Sequence, residues 1–416
     1  MRSILNKNSK SFGKIQGLIK AKVLSSADIL DLDETQLLIE EFGHSSSKKI
    51  PAADLESIVS TIQDGLRRLS DQIDSSVSKT SSLDKQLLLT LSQLPNIPLD
   101  TTPDGQSEED NIEVRSWGKP KIFDFKLKPH WEIGSDLEII DFERGVRMSG
   151  SRFYVLKGQG AKLQRSLIQW MLDLHVEEHG YKEIYPPFIV SESTVYGSGQ
   201  LPKFRPNLYK DFEEDLWLIP TAEVPLNAMH AGEILNAGDL PISYVAYTPS
   251  FRREKMSAGR DIRGIKRGHQ FDKVEMFKFI KPGTSSSELA KLLDNAEAVL
   301  QKLDLPYRII ELCAADLGTA AAKTYDIEVW APGLGEWLEV SSCSTTEDFQ
   351  SRRSNIRFRD PEGGGNKFVH TLNGSGLALP RLMIAILENY QTASGQVEIP
   401  KVIQSYTGFN LIGPAK

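Results

Sequence analysis

The sequence predicts an α+β protein, with a helical arm at its start and a hairpin-rich body after it. Three stretches carry that reading. Residues 54–94 place Leu55, Val59, Ile62, Leu66, Leu69 and Ile73 at alternating steps of four and three, the seam spacing of a coiled coil, and Leu83, Leu87, Leu91 and Leu94 resume the stripe. Residues 251–279, FRREKMSAGRDIRGIKRGHQFDKVEMFKF, read as a strand, a long glycine-punctuated loop and a second strand. Residues 328–344, EVWAPGLGEWLEVSSCS, alternate apolar and polar side chains on either side of a Gly-rich turn, which is a second hairpin.

From the start, residues 1–27 carry Arg2, Lys7, Lys10, Lys14, Lys20 and Lys22 and no acid, a composition that suits either an organellar presequence or a short basic helix of the mature chain. Residues 29–42 are apolar enough to partner the heptad helix. Ile50-Pro51 separates the two, because proline disfavours helix in the residue before it. The expectation is an antiparallel helical hairpin whose first helix spans about residues 29–49; a bundle helix packed on the body is the alternative. Leu94-Pro95-Asn96-Ile97-Pro98 ends the arm. Residues 99–116, rich in Thr, Pro, Gly, Ser and acid, read as a linker, and Trp117, Phe123, Phe125 and Trp131 restart a core. The expected domains are therefore 1–98, a linker 99–116, and 117–416.

Residues 161–180 keep helical spacing through Leu163, Leu167, Trp170, Met171 and Leu174, with Gly180 as a C-cap. Residues 181–190 follow as a strand containing Pro186-Pro187. Proline cannot donate to a central ladder, so this strand belongs at an edge or an interface. In 372–390, Asn373-Gly374-Ser375-Gly376 leads into an apolar helix that contains Arg381. A buried Arg without a partner is costly, so Arg381 should meet an anion, either a ligand's or a core carboxylate.

The chemistry concentrates in the first hairpin. Its loop holds Arg260, Arg263, Lys266 and Arg267 beyond Arg252 and Arg253. That many cations between paired strands suit a polyphosphate, since the Arg fork holds phosphate or carboxylate through two hydrogen bonds. Phe271 on the returning strand offers a face for a base. A solvated basic hairpin is the bland alternative. In the second hairpin, Glu339 and Ser342 are oxygen donors suited to a hard cation.

The whole chain sets limits. Its 416 residues allow two or three domains. A net charge of −7 means that any nucleic-acid contact must come from local basic patches. Cys313 and Cys343 are the two cysteines, which excludes a disulfide framework and argues against a thiolate zinc site. No apolar run is long enough to cross a membrane, and no GxxxxGK[ST] motif occurs.

Phe-Arg-x-Glu at 251–254, Gly-Arg-Asp-x-Arg-Gly at 259–264 and His-Gln-Phe-Asp-Lys-Val-Glu at 269–275 together resemble motif 2 of class II aminoacyl-tRNA synthetases, in the form found in the seryl-tRNA synthetase family. EDNIEVR at 109–115, PHWE at 129–132, SGSRF at 149–153 and DFQSRR at 348–353 are similar to the same family. The helix, strand and Pro187 of 161–190 resemble motif 1, residues 249–279 motif 2, and Gly-Leu-Ala-Leu-Pro-Arg within 372–390 motif 3. The resemblance runs from about Asp31 to the C-terminus.

It implies an antiparallel sheet flanked by helices, an arm that reaches tRNA, and a homodimer formed through motif 1. It implies a ligase that activates serine with ATP to seryl-adenylate and transfers it to tRNA(Ser), and possibly tRNA(Sec), with Mg²⁺ and without zinc. The implied catalytic set is Arg252, Glu254 and Arg381: Arg252 bridges the serine carboxylate and the α-phosphate, and Arg381 holds the γ-phosphate. Glu254 and Phe271 hold adenine, Arg253 adds to the ATP site, and Glu339, Val340, Ser341 and Ser342 touch ATP, Glu339 and Ser342 supporting the metal. Thr221, Ala222, Glu223, Arg252, Glu275 and Ser375 form the serine pocket, with Glu223 and Glu275 as acceptors for the ammonium. Lys48, Lys49, Arg67 and Arg68 are the tRNA contacts expected on the arm. The compartment implied is the cytoplasm, with the mitochondrial matrix as alternative.

The sequence departs from the family pattern at Lys255 and Met256, where a small residue and Gly are usual, at Thr345, where Asn is frequent, and at Pro380, where Gly is common. Two competing functions remain: a ligase that charges a carrier protein, whose known forms lack the arm and use zinc-ligating Cys, and a non-catalytic paralogue acting as a binding subunit.

Overall fold

The computed structural model describes residues 2–21, 25, 28–29, 32–42, 55–255 and 263–414. It divides into two compact units, 1–92 and 93–416.

The first unit is three helices: α1 (Arg2–Ala21), α2 (Asp33–Phe42) and α3 (Leu55–Leu91). Phe12 and Ile15 of α1, Leu38 of α2, and Ile58, Ile62 and Leu66 of α3 bury into one apolar cluster. The expected pairing of two helices is present, and α1 joins it to make a three-helix core. The basic N-terminal stretch becomes α1 and supplies part of that core. The reason is that Phe12 and Ile15 of α1 pack on the same stripe of α3 as Leu38 of α2 does. Past Ile73 the heptad stripe is left open, with Val77, Leu83, Leu87, Leu88 and Leu91 exposed. Gly65 lets α2 approach, since a Cβ there would meet the Phe42 ring at 2.5 Å. Residues 43–54, with Lys48 and Lys49, lie outside the described residues.

The second unit is built on an eight-stranded sheet. Its strands are β1 (Ile112–Trp117), β2 (Lys182–Glu183), β3 (Ile242–Phe251), β4 (Gln270–Ile280), β5 (Tyr307–Glu311), β6 (Lys323–Ala331), β7 (Glu336–Glu347) and β8 (His370–Ala378), in the order β1-β5-β6-β7-β8-β4-β3-β2. Neighbours run antiparallel except at the β2 edge, which pairs parallel to β3. The helices used below are α4 (Gly158–Glu177), α5 (Glu223–Ala228), α6 (Ser285–Lys302), α7 (Phe349–Ser354) and α8 (Leu379–Asn389).

Strand alternation divides the sheet's two faces. On β4, Val274, Met276 and Ile280 enter a large core with Leu167 and Met171 of α4, Leu292 and Val299 of α6, and Leu382 and Ile386 of α8. The odd residues face the other way. Phe277 and Phe279 pack with Leu226 of α5 and with Phe358, which leaves Phe271, Lys273 and Glu275 at the open end of the same face.

Two expectations are corrected here. The strand expected over 181–190 is split at Pro186-Pro187, which offers no N–H: β2 joins the main sheet, and Ile189–Val190 pairs with Trp217–Leu218 elsewhere. The expected linker 99–116 is a bound strap. Asn96 N–H donates to the Thr319 carbonyl (2.8 Å), Leu99 N–H to Ala322 (2.9 Å) and Ala314 N–H to Pro103 (2.9 Å), and residues 112–117 are the sheet edge β1. Among the described residues no helix is long and apolar enough to cross a membrane.

Candidate active site

A cleft of about 250 Å³ opens on the face of the sheet that carries Phe271 and Lys273. It is lined by Thr221 and Glu223 at the start of α5, Arg252 and Glu254 just past β3, Phe271 and Lys273 on β4, Glu339, Val340 and Ser342 on β7, Asn373 and Ser375 on β8, and Arg381 in the first turn of α8.

The first hairpin closes tightly before its loop departs. Arg252 N–H donates to the His269 carbonyl (2.9 Å), and the Arg252 carbonyl sits 3.0 Å from His269 Nδ1. The Arg252 guanidinium lies 5.1 Å over the Phe271 ring and donates Nε–H to the Pro220 carbonyl (3.3 Å). Glu254 adopts φ +50°, a left-handed conformation that non-glycine residues keep when their surroundings demand it. Arg253 turns away: its N–H donates to Asn207 and its guanidinium lies over Tyr209 at 5.8 Å. Residues 256–262, including Met256 and Arg260, lie outside the described residues.

The second hairpin solves a parity problem. Glu339 and Ser342 are three apart, so regular alternation would send them to opposite faces. The pairing of β6 with β7 slips at Val340: Ile327 faces Ser341 but Glu328 faces Glu339. This bulge inserts one residue and brings both oxygen donors to the cleft. Ser341 consequently points the other way, buried, its hydroxyl donating to the Ser375 carbonyl (2.6 Å).

Arg381 Nη1 lies 3.1 Å from Glu339 Oε2 and donates to the Glu339 carbonyl (2.6 Å), so the anion that Arg381 meets in this structure is a cleft-lining carboxylate. The Glu339 carboxylate is 46% exposed towards the cleft. The surrounding protein resists its ionisation, but Arg381 and then Arg252 outweigh that and hold it below the usual carboxylate range. Across the strand pair, burial and then the Glu339 charge push Asp326 well above that range.

At the other end of the cleft, Glu223 is 8% exposed and pushed up to about 7, by burial first and then by the nearby charge of Glu275. Glu275 is fully buried and pairs with Lys273; beyond that ion pair its two oxygens make no hydrogen bond among the described residues. A buried acceptor of this kind matches a site for a donor-rich cation. Ala222 is fully buried behind Thr221.

Four of the residues expected to hold ATP or serine therefore do not line the cleft: Ala222, Arg253, Glu275 and Ser341. Sequence reasoning left out Lys273, Asn373, Gln200 and Pro380, and did not place the loop cations Lys266 and Arg267 individually, all of which line it. Lys273 was readable from its i+2 spacing to Phe271 and Glu275, and Asn373 from its spacing to Ser375; Gln200 carries no local signal. Among the departures, Lys255 N–H donates to Asn207 Oδ1 (3.0 Å) and Thr345 hydroxyl to Glu347 (2.9 Å). Pro380 sits in the first turn of α8, where a missing N–H costs nothing. Arg67 and Arg68 are exposed on α3.

Residues 204–390 match the family model described as tRNA synthetase class II core domain (G, H, P, S and T). Serine–tRNA ligase of Roseiflexus sp. (strain RS-1) is 59% identical over 343 residues, 82% of this chain and 81% of that protein. The Dehalococcoides mccartyi (strain CBDB1) serine–tRNA ligase is 51% identical over 387 residues, 92% of this chain and 93% of that one. A crystal structure of seryl-tRNA synthetase from Pyrococcus horikoshii complexed with ATP superposes with a TM-score of 0.79 at 36% identity, covering 100% of this chain and 92% of that one. The sheet with its two cleft-forming hairpins and the α8 arginine is the catalytic core of a class II aminoacyl-tRNA synthetase. Within that class, similarity at these levels over most of its length means that the chain belongs to the serine–tRNA ligase family.

Proposed function

We propose that the chain is an active serine–tRNA ligase, consuming ATP and serine and loading tRNA(Ser). The observation that carries the reading is the meeting of Arg252, Glu339, Ser342 and Arg381 with Glu223 and Thr221 in a single cleft. Cations gather at one end and buried carboxylates at the other, which suits an amino acid lying between a triphosphate and an ammonium pocket.

In the first step a serine carboxylate oxygen attacks the α-phosphorus, the bond to the bridging oxygen breaks, and pyrophosphate leaves with that electron pair. Such transfer depends on alignment and on neutralising developing charge. Arg252 is central, within electrostatic reach of Glu254, Glu339, Arg381 and Glu275, and its fork can span the serine carboxylate and the α-phosphate. Arg381 is the γ-phosphate ligand, exchanging its Glu339 contact for it. Phe271 stacks adenine and Glu254 accepts from it, with Val340 and the Ser341 backbone beside the nucleotide. Glu223 and Glu275 draw in the serine ammonium, with Thr221, Ala222 and Ser375 shaping the pocket. Glu339 and Ser342 are hard oxygen donors on one strand face and fit Mg²⁺, which would supply charge neutralisation on the phosphates. Among the described residues no group of three or more His, Cys, Asp and Glu is placed to hold a metal, so such an ion would be shared with the nucleotide. In the second step a ribose hydroxyl of the tRNA end attacks the acyl carbon and AMP leaves.

The arm is the proposed tRNA-contacting part, through Lys48, Lys49, Arg67 and Arg68. The proposed assembly is a homodimer through motif 1, supported by exposed Tyr185, two residues past β2, and by exposed Ile189. The proposed compartment is the cytoplasm, since the presequence-like stretch serves as α1 in the arm's core.

Serine-dependent pyrophosphate exchange, with and without tRNA, tests the reading. Exchange with serine and charging of tRNA(Ser) are expected. Exchange with alanine or glycine instead would favour the carrier-charging ligase, and none at all the non-catalytic paralogue.

A further inference from the structure

Gln350 lies outside the cleft, fully buried on α7, and every polar atom of its side chain is used. Its Nε2 donates to the Ser198 carbonyl (3.0 Å) and to Glu223 Oε1 (2.5 Å). Its Oε1 accepts from the Thr371 hydroxyl (2.7 Å), and Thr346 Oγ1 lies 2.5 Å from Thr371 Oγ1. The Ser198 carbonyl can only accept, so the amide has one possible orientation, with both N–H groups towards oxygen. Thr371 sits on β8 and Ser198 just before Gln200 of the cleft wall. One side chain therefore ties α7, β8, the 198–200 turn and Glu223 together.

We infer that Gln350 is a positioning residue for the amino-acid pocket: its amide pins the Glu223 carboxylate in place and favours its charged form for the substrate ammonium. The inference rests on the proposed role of Glu223. The groups that face Glu223 are Glu275 and Lys273 of β4, Arg252 beyond β3, and Gln350 of α7. Burial and Glu275 oppose ionisation, while Lys273, Gln350 and Arg252 favour it. Gln350 is the neutral member of that set, so it supports the anion by hydrogen bonding without competing for it as a second fixed ion would.

The test uses the full chain and pyrophosphate exchange across pH 5.5–9. Gln350→Met should raise the KM for serine about tenfold at pH 7, the size of one charge-assisted hydrogen bond, and leave the KM for ATP within about twofold. The defect should shrink towards pH 9, because Glu223 then ionises without help. Gln350→Glu fits the same space but faces Ser198 and Glu223 with an acid, so it should be worse than Gln350→Met for serine, again with the KM for ATP little changed. Thr371→Val keeps the Glu223 contact and should cost under about threefold. An unchanged serine KM and pH profile in Gln350→Met would overturn the inference. So would equal losses for serine and ATP with a lowered Tm in both Gln350 variants, which describe a purely structural residue. Glu223→Gln separates the layers: if it leaves the serine KM unchanged, the ammonium reading itself fails, whatever Gln350 does.

Discussion

Replacing Glu223 by Gln should stabilise the protein at alkaline pH while weakening serine use. The carboxyl is pushed up from its ordinary 4.5 to about 7 by burial and the charge of Glu275. In the unfolded chain it loses its proton near 4.5, and in the folded chain only near 7. Stability therefore falls as pH rises through that window and stays lower above it. A difference of that size at 1.36 kcal/mol per pH unit amounts to about 3 kcal/mol at pH 8, and to under about 1 kcal/mol at pH 5. Gln fills the same volume and can still accept from Gln350, so the substitution removes the charge without opening a cavity. For a body this large the gain corresponds to roughly 5 °C in Tm at pH 8. Thermal denaturation of both proteins at pH 5 and pH 8 reads it directly, as the difference between the two shifts. In parallel, wild-type kcat/KM for serine should rise through about pH 7, and the variant should be low and flat. A Tm difference that is the same at both pH values would refute the reasoning, because it would mean that Glu223 keeps one charge state throughout.

Arg252→Ala should cut serine-dependent exchange by more than about 100-fold, since a charge-assisted contact in a dry site is worth about 3 kcal/mol in the transition state; near wild-type exchange would remove Arg252 from the site. Serine should be used far above alanine, because a pocket built to bond a hydroxyl is left with its own polar groups unsatisfied by the analogue, and threonine should be excluded by its methyl; comparable exchange with alanine would contradict this. Deleting residues 1–92, a compact unit of their own, should leave exchange within a few fold and cripple transfer to tRNA; intact charging would move tRNA recognition to the catalytic unit. Neutralising Lys48, Lys49, Arg67 and Arg68 together should weaken tRNA binding and flatten its salt dependence, read from the KM for tRNA against salt concentration.

The sequence by itself determined the pieces whose signals are local. Heptad spacing marked α3, glycine punctuation between β-formers marked the hairpin of β3 and β4, and alternation around a Gly-rich turn marked β6 and β7. The residue types for phosphate and cation chemistry were visible on those pieces, because charge and donor geometry belong to the side chain itself. Tertiary structure decided what depends on distant partners. Residues 99–116 look like a linker because the hydrogen-bond partners of Leu99, Thr102, Pro103 and Asn111 lie some two hundred positions away at 313–322. On the arm, Phe12 and Ile15 of α1 and Leu38 of α2 pack on the heptad stripe at Ile58, Ile62 and Leu66, while Val77, Leu83 and Leu87 further along α3 are exposed. Glu339 and Ser342 share a face only because the ladder to β6 slips at Val340, and register is a property of two strands at once. Glu275 and Lys273 of β4 and Gln350 of α7 act on Glu223 from elements far apart in the chain. Its displaced ionisation comes from burial among them, and no spacing along a single chain encodes that.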